Sequence, residues 1–149
     1  MRTINPYLNF GGNCEEAFNF YKEVFGGDFV DFQRFNDAPA EAQMQMPTEE
    51  AEWVMHVGLP IGGDTVLMGS DRPSAMGEWT QGNGFYVSLQ TDDTEETDRL
   101  FEGLSDGGQV TMPLQDTFWG ARFGMLVDKF GVQWMVNQSG DWNASQLGV

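Results

Sequence analysis

The strongest constraint on this chain is that its pattern occurs twice. Residues 5–10, NPYLNF, read as a short strand, and Gly11-Gly12 turn the chain. Asn13 then stands at an N-cap position, with Glu16 at capping-box spacing. Ala17, Phe18, Tyr21, Val24 and Phe25 share one helical face, and Gly26-Gly27 end the helix. Alternation over 28–35 predicts a strand. Strands at 53–59 and 65–70 form a predicted hairpin around a turn at 60–64. Residues 36–51 lack a usable period and read as a mobile loop or a short irregular helix, and the Gly-, Pro- and Ser-rich stretch 71–82 reads as a linker. Then the order returns. A strand at 84–91 leads to a helix capped by Asp93, with Glu96 at the box position and a stop at Gly107-Gly108. Further strands are predicted near 109–112, 119–127 and 132–137. The folded part is thus 1–137, in halves of about 5–70 and 84–137, followed by a polar tail, 138–149, with an exposed Trp142.

Each half is a βαβββ unit, which covers one sheet face with its helix and leaves the other face in need of cover. The expected fold is therefore α+β. Two βαβββ modules pair into a curved, mixed eight-stranded sheet around a cavity, with the helices on the outer face. Alternation sorts the side chains. Leu8 and Phe10 oppose Tyr7 and Asn9; Met55, Val57 and Leu59 oppose Val54, His56 and Gly58. Phe85, Val87 and Leu89 oppose Tyr86, Ser88 and Gln90; Val132, Trp134 and Val136 oppose Gln133, Met135 and Asn137. The apolar set belongs under the helices. The mixed set suits a solvent-reached cavity for a small ligand. The candidate ligand-binding residues are Tyr7, Asn9, Val54, His56, Met68 and Ser70 in the first half. In the second they are Tyr86, Ser88, Trp119, Arg122, Gln133 and Met135.

Composition narrows the partners. The 149 residues suffice for one domain or two small halves. Acids outnumber bases 23 to 7, giving a net charge of -16, but 13% aromatic residues can build a core, so the charge does not read as disorder. Such a charge argues against nucleic acid and against anionic membrane surfaces. No apolar run approaches the roughly 18 residues of a membrane span, and MRTINPYLNF lacks the apolar segment of a signal peptide. Cys14 is the only cysteine, so no internal disulfide forms, which fits a reducing cytoplasm. Lys22 and Lys129 are the only lysines; high-salt adaptation and an ordinary acidic surface both produce such a chain.

Three stretches carry a family resemblance: PYLNFGGNCEEAFNFYKEVFGG (6–27), VMHVGLPIGGDTVLMGSD (54–71) and FWGARFGMLVDKFGVQWMVN (118–137). Together they resemble the vicinal oxygen chelate superfamily of glyoxalase I, extradiol dioxygenases and bleomycin-resistance proteins, most closely its PhnB-like branch. The resemblance implies paired βαβββ units, a homodimer and a cavity for a small molecule. Members of that branch also go by 3-demethylubiquinone-9 3-methyltransferase-like names, yet no glycine-rich nucleotide loop opens a helix here. Metal-dependent relatives place four His, Gln or Glu ligands on the first and last strands of each half. Mapped by spacing, those positions hold Tyr7, Met68, Tyr86 and Met135, none a usual ligand for a hard cation. No metal or cofactor is therefore expected. A divalent ion would have to recruit His56 together with a carboxylate from a partner chain.

Single residues carry two readings each. His56 is a general acid/base or ligand donor, or a histidine bonded to its neighbours. Arg122 binds an anionic group or pairs with one of the many acids. Asp128 opens the turn before Gly131 and bonds its own backbone rather than taking part in catalysis. Trp134 belongs to the core, and Cys14 reads as structural. Met44 and Met46 are placed at the cavity mouth as adaptable apolar cover. Three functions remain open at this level. The first is a metal-free small-molecule binder. The second is a lyase, isomerase or dioxygenase using His56, and the third is a non-catalytic dimeric regulator or scaffold.

Overall fold

A computed structural model describes residues 1–39 and 46–139; Met44 and Trp142 lie outside the described residues. Contacts divide the chain into two compact units, Met1–Gly82 and Asn83–Val149. The first carries β1 (Tyr7–Phe10), α1 (Cys14–Phe25), β2 (Val30–Arg34), β3 (Val54–Gly62) and β4 (Thr65–Asp71). The second carries β5 (Val87–Thr91), α2 (Thr94–Ser105), β6 (Gln109–Asp116), β7 (Arg122–Val127) and β8 (Gln133–Gln138). The repeated βαβββ order is as expected. The eight strands lie in two four-stranded mixed sheets, ordered β1-β4-β3-β2 and β5-β8-β7-β6. The first and last strands of each module pair in parallel, and the other pairs are antiparallel. No described helix is long and apolar enough to cross a membrane.

Both modules seat their helix by the same device. In the first, Cys14, Ala17, Phe18 and Tyr21 are fully buried, with Leu8, Phe10, Val57, Leu59 and Leu67 in the same core. A Cβ on Gly69 of β4 would lie 2.5 Å from the Phe18 ring, so only glycine lets the helix aromatic approach the strand. In the second, Leu100, Phe101 and Leu104 are buried together with Leu126, Trp134 and Val136. A Cβ on Gly124 of β7 would lie 2.7 Å from Phe101.

The helix caps differ from expectation in one module. Asp93 accepts from the Glu96 amide at 2.7 Å, as its spacing predicts. Asn13 makes no side-chain cap bond. Its place is taken by Asp71 at the end of β4, which is 2% exposed. Asp71 Oδ1 accepts from the amides of Gly12 and Cys14, both at 2.9 Å, and Oδ2 from that of Val54 at 3.0 Å. A carboxylate remote in sequence thus outcompetes the local asparagine because it satisfies three donors at once.

Strand limits shift for identifiable reasons. β6 runs through Pro113 instead of stopping before it, because it is an edge strand whose register slips between Met112 and Gln115. β7 starts at Arg122 rather than 119, since the Thr117 amide and hydroxyl both bond Ala121 O and close a turn there. β5 starts at Val87, three residues late. Gln133 Nε2 donates to the carbonyls of Asn83 and Phe85 and occupies acceptors that a ladder would use. Phe85, expected under the helix, is accordingly 58% exposed. The β3–β4 turn is shorter than predicted, as Pro60 and Gly62 still pair with Val66 and Thr65. Asp128 keeps its turn role: Oδ1 accepts from the Phe130 and Val132 amides, while Oδ2 also takes the indole N–H of the buried Trp134.

Arg34 grips Glu15 with two bonds of 2.8 and 3.0 Å, donates to Glu52 O, and lies over the Phe32 ring. Hydrogen bonding from Arg34, more than its charge, holds the Glu15 carboxyl below its ordinary value, against a smaller opposing effect of desolvation. Two predictions follow from these contacts. Asp71→Ala, which strands three amides, should cost about 3 kcal/mol in urea unfolding. Glu15→Gln should cost only ~0.2–1 kcal/mol at neutral pH, because the pair is part-exposed. A depressed carboxyl stabilises fully above the unfolded value of about 4.3. That advantage over the Gln variant should fade as pH falls through the folded value, and unfolding curves at neutral and acid pH check it.

Candidate functional site

The face of the first sheet turned away from α1 gathers five of the expected residues. Tyr7 and Asn9 alternate with the buried Leu8 and Phe10 along β1. They pair in register with Met68 and Ser70 of β4, which alternate with Leu67, Gly69 and Asp71. The Tyr7 hydroxyl lies 3.1 Å from His56 Nδ1, with the rings 5.6 Å apart. Asn9 Nδ2 donates to Ser70 Oγ at 3.2 Å. All five side chains are exposed or half-buried. The Tyr7 bond orients the imidazole and leaves Nε2 without a hydrogen bond among the described residues. If the hydroxyl donates to Nδ1, Nε2 carries a proton to offer; if Nδ1 donates, Nε2 presents a lone pair. Gln33 of β2 is the cross-strand partner of His56 and shares its face. The sequence reading missed it because β2 is irregular, with Asp31 at φ 56° breaking the alternation.

Residues 3–136 match the family model of the Glyoxalase/Bleomycin resistance protein/Dioxygenase superfamily. The chain belongs to this superfamily. It is 33% identical over 143 residues to Protein YjdN of Escherichia coli, covering 90% of this chain and 93% of that one. Among solved structures, protein PA1353 from Pseudomonas aeruginosa superposes with a TM-score of 0.82 at 41% identity, covering 95% of this chain and all of that one. The PhnB protein from Bacillus cereus follows with a TM-score of 0.72 at 25% identity, covering 93% of this chain and all of that one. These relatives support the PhnB-like resemblance of the superfamily member described here.

Of the other expected site residues, Val54 and Arg122 lie on the helix side of their sheets, whereas Ser88, Gln133 and Met135 share the open face of the second. Val54 is 1% exposed and belongs to the core. Gln33 and Arg34 pair with His56 and Val54, so Met55 is a bulge that turns Val54 to the buried side. Arg122 lies on the α2 side of β7, together with Gly124 and the buried Leu126. Its Nε donates to Asp98 Oδ1 at 3.1 Å, and it pairs with Asp116 at 3.6 Å. Its charge is therefore spent on acids of its own module. Trp119 sits on the β6–β7 turn, edge-on to the exposed Phe118 at 4.8 Å. Gln133 is engaged by two backbone carbonyls, as above. Ser88 and Met135 pair in register, exactly as Tyr7 and Met68 do in the first module. Tyr86 falls before the strand, so Ser88 rather than Tyr86 is the counterpart of Tyr7.

The register therefore maps the superfamily's ligand positions to Tyr7, Met68, Ser88 and Met135. Two thioethers and two neutral hydroxyls do not fit a hard divalent ion. Among the described residues, no three His, Cys, Asp or Glu side chains stand close enough to share a metal. Cys14 is fully buried, and burial first, then the Asp71 and Glu15 charges, push its thiol well above the ordinary range. A thiol so disfavoured as thiolate is a poor nucleophile. Native protein should leave Cys14 unmodified by Ellman's reagent at pH 8, whereas protein unfolded in guanidinium should react with one equivalent.

Proposed function

We propose that this chain binds a small organic molecule against the Tyr7–His56 face of its first module, without a divalent metal, as a cytoplasmic homodimer. The observation that carries this reading is the Tyr7–His56 hydrogen bond, flanked by the Asn9–Ser70 pair and Met68 on one open sheet face. Fixed polar groups beside a polarizable thioether suit a ligand of mixed character. The absence of carboxylates and further histidines from the mapped positions supports a metal-free site. The dimer rests on the family resemblance, and the cytoplasmic location on a chain with one, buried, cysteine.

A second reading is a lyase, isomerase or dioxygenase in which His56 acts as base. It is favoured by the same bond, since a histidine oriented through Nδ1 presents Nε2 to a substrate. Native mass spectrometry with elemental analysis tests the first reading. The expected result is a dimer mass without stoichiometric Zn, Ni, Mn or Fe, and a thermal shift with at least one member of a metabolite panel. Tyr7→Phe should weaken that ligand by about three- to tenfold, the worth of one neutral hydrogen bond. Stoichiometric metal, or binding indifferent to both Tyr7→Phe and His56→Ala, would overturn the proposal. Turnover of any substrate that survives His56→Ala would sink the enzymatic reading.

A further inference from the structure

A second concave site lies in the first unit and shares no lining residue with the Tyr7–His56 face. It is a hollow of about 250 Å³ at the β1–α1 turn, walled by the indoles of Trp53 and Trp79 and by Arg72. Each indole packs on a glycine of that turn. Ideal Cβ atoms on Gly11 and Gly12 would both lie 2.9 Å from the Trp79 and Trp53 rings. Trp79 is tied down by its indole N–H, which donates to Asn9 O at 2.9 Å. Ser74, also in the lining, is fixed by the buried Glu50, whose two oxygens accept from its amide and hydroxyl at 2.8 Å.

Arg72 is the unusual member. In a chain where acids outnumber bases 23 to 7, it has no carboxylate partner among the described residues. Instead its Nε donates to Gly77 O at 3.2 Å and its Nη2 to Met76 O. These bonds hold the guanidinium in place without neutralising it, and Nη1 has no hydrogen-bond partner among the described residues. Gly77, at φ 103°, lets the guanidinium lie on its backbone; a Cβ there would meet Nη2 at 3.2 Å.

We infer that this hollow is a second ligand site, for a small planar aromatic carboxylate. A ring gains contact with the indole surfaces, and the carboxylate takes the free edge of a guanidinium already oriented to receive it. The size fits one ring bearing a carboxylate, since drug-sized sites start at about 300 Å³. Glu78 also lines the hollow and opposes an anion, so it limits affinity.

Benzoate is the probe, followed by the indole N–H resonances of Trp53 and Trp79 in 15N-labelled full-length protein. Benzoate should shift both resonances saturably, with the neutral benzamide and the cationic benzyltrimethylammonium each at least about tenfold weaker. Arg72→Gln should weaken benzoate by about tenfold or more, and Glu78→Gln should tighten it. Because Arg72→Gln also removes two backbone bonds, Gly77→Ala is the second variant. It keeps the charge but displaces the guanidinium, and should weaken benzoate as well. No saturable shift of either indole, equal binding of benzamide, or tighter binding of the ammonium probe would overturn the inference.

Discussion

The first module is organised around one buried carboxylate. Asp71 closes β4, yet its oxygens bind the amides of Gly12 and Cys14 at the helix start and of Val54 at the start of β3. It thereby joins the ends of three strands to the positive end of α1. A neutral amide could not replace it, since an asparagine offers one acceptor oxygen where three donors converge. The consequences spread outward. The Gly11-Gly12 turn held there carries the two indoles, and the Val54 amide bond anchors the bulge that places His56 opposite Val54. The same negative charge helps keep the Cys14 thiol protonated.

The second module fills that slot differently. Asp71 pairs with Phe10, and Gln138 pairs with Thr91 at the matching register. Gln138 also reaches its helix start, but meets the hydroxyls of Thr94 and Thr97 at 3.2 and 3.3 Å. The backbone amide is left to Asp93. The helix N-terminus is therefore capped from the last strand in one module and by the local Asp93 in the other, where the last strand reaches only the side chains of the first turn.

The repeat was legible because its signals are local: period-two runs, glycine pairs after the helices, and Asp93 three residues before Glu96. The core assignments of Leu8, Phe10, Val57, Leu59 and Trp134 came from the same alternation. What escaped depended on groups distant in sequence or on breaks in the period. Asn13 obeys every local rule for a cap and loses to Asp71. Val54 changes sides because Met55 bulges, and a bulge leaves no glycine or proline mark there. Arg122 stands out as a rare cation among aromatics, but it lies with Gly124 and Leu126 on the α2 side and pairs with Asp98. Five of the six first-module site residues, all but Val54, share a face; in the second, Ser88, Gln133 and Met135 keep the expected face, whereas Trp119 and Tyr86 lie outside the strands, where periodicity does not reach.

The two modules show which positions a βαβββ unit can vary. Glycine recurs where a helix aromatic must approach a strand, at Gly69 and Gly124, because any Cβ there would collide with a ring. Methionine stands at both Met68 and Met135, paired with the first strand. Facing them, however, Tyr7 has only Ser88 as its counterpart, and His56 is the sole histidine of the chain. These side chains lie on the face turned away from the helix, so they can change without unsettling it. Polar recognition by a duplicated fold of this kind need not be duplicated. Here the phenol–imidazole pair stands on the open face of the first module, while the matching face of the second carries Ser88, Gln90, Gln133 and Asn137.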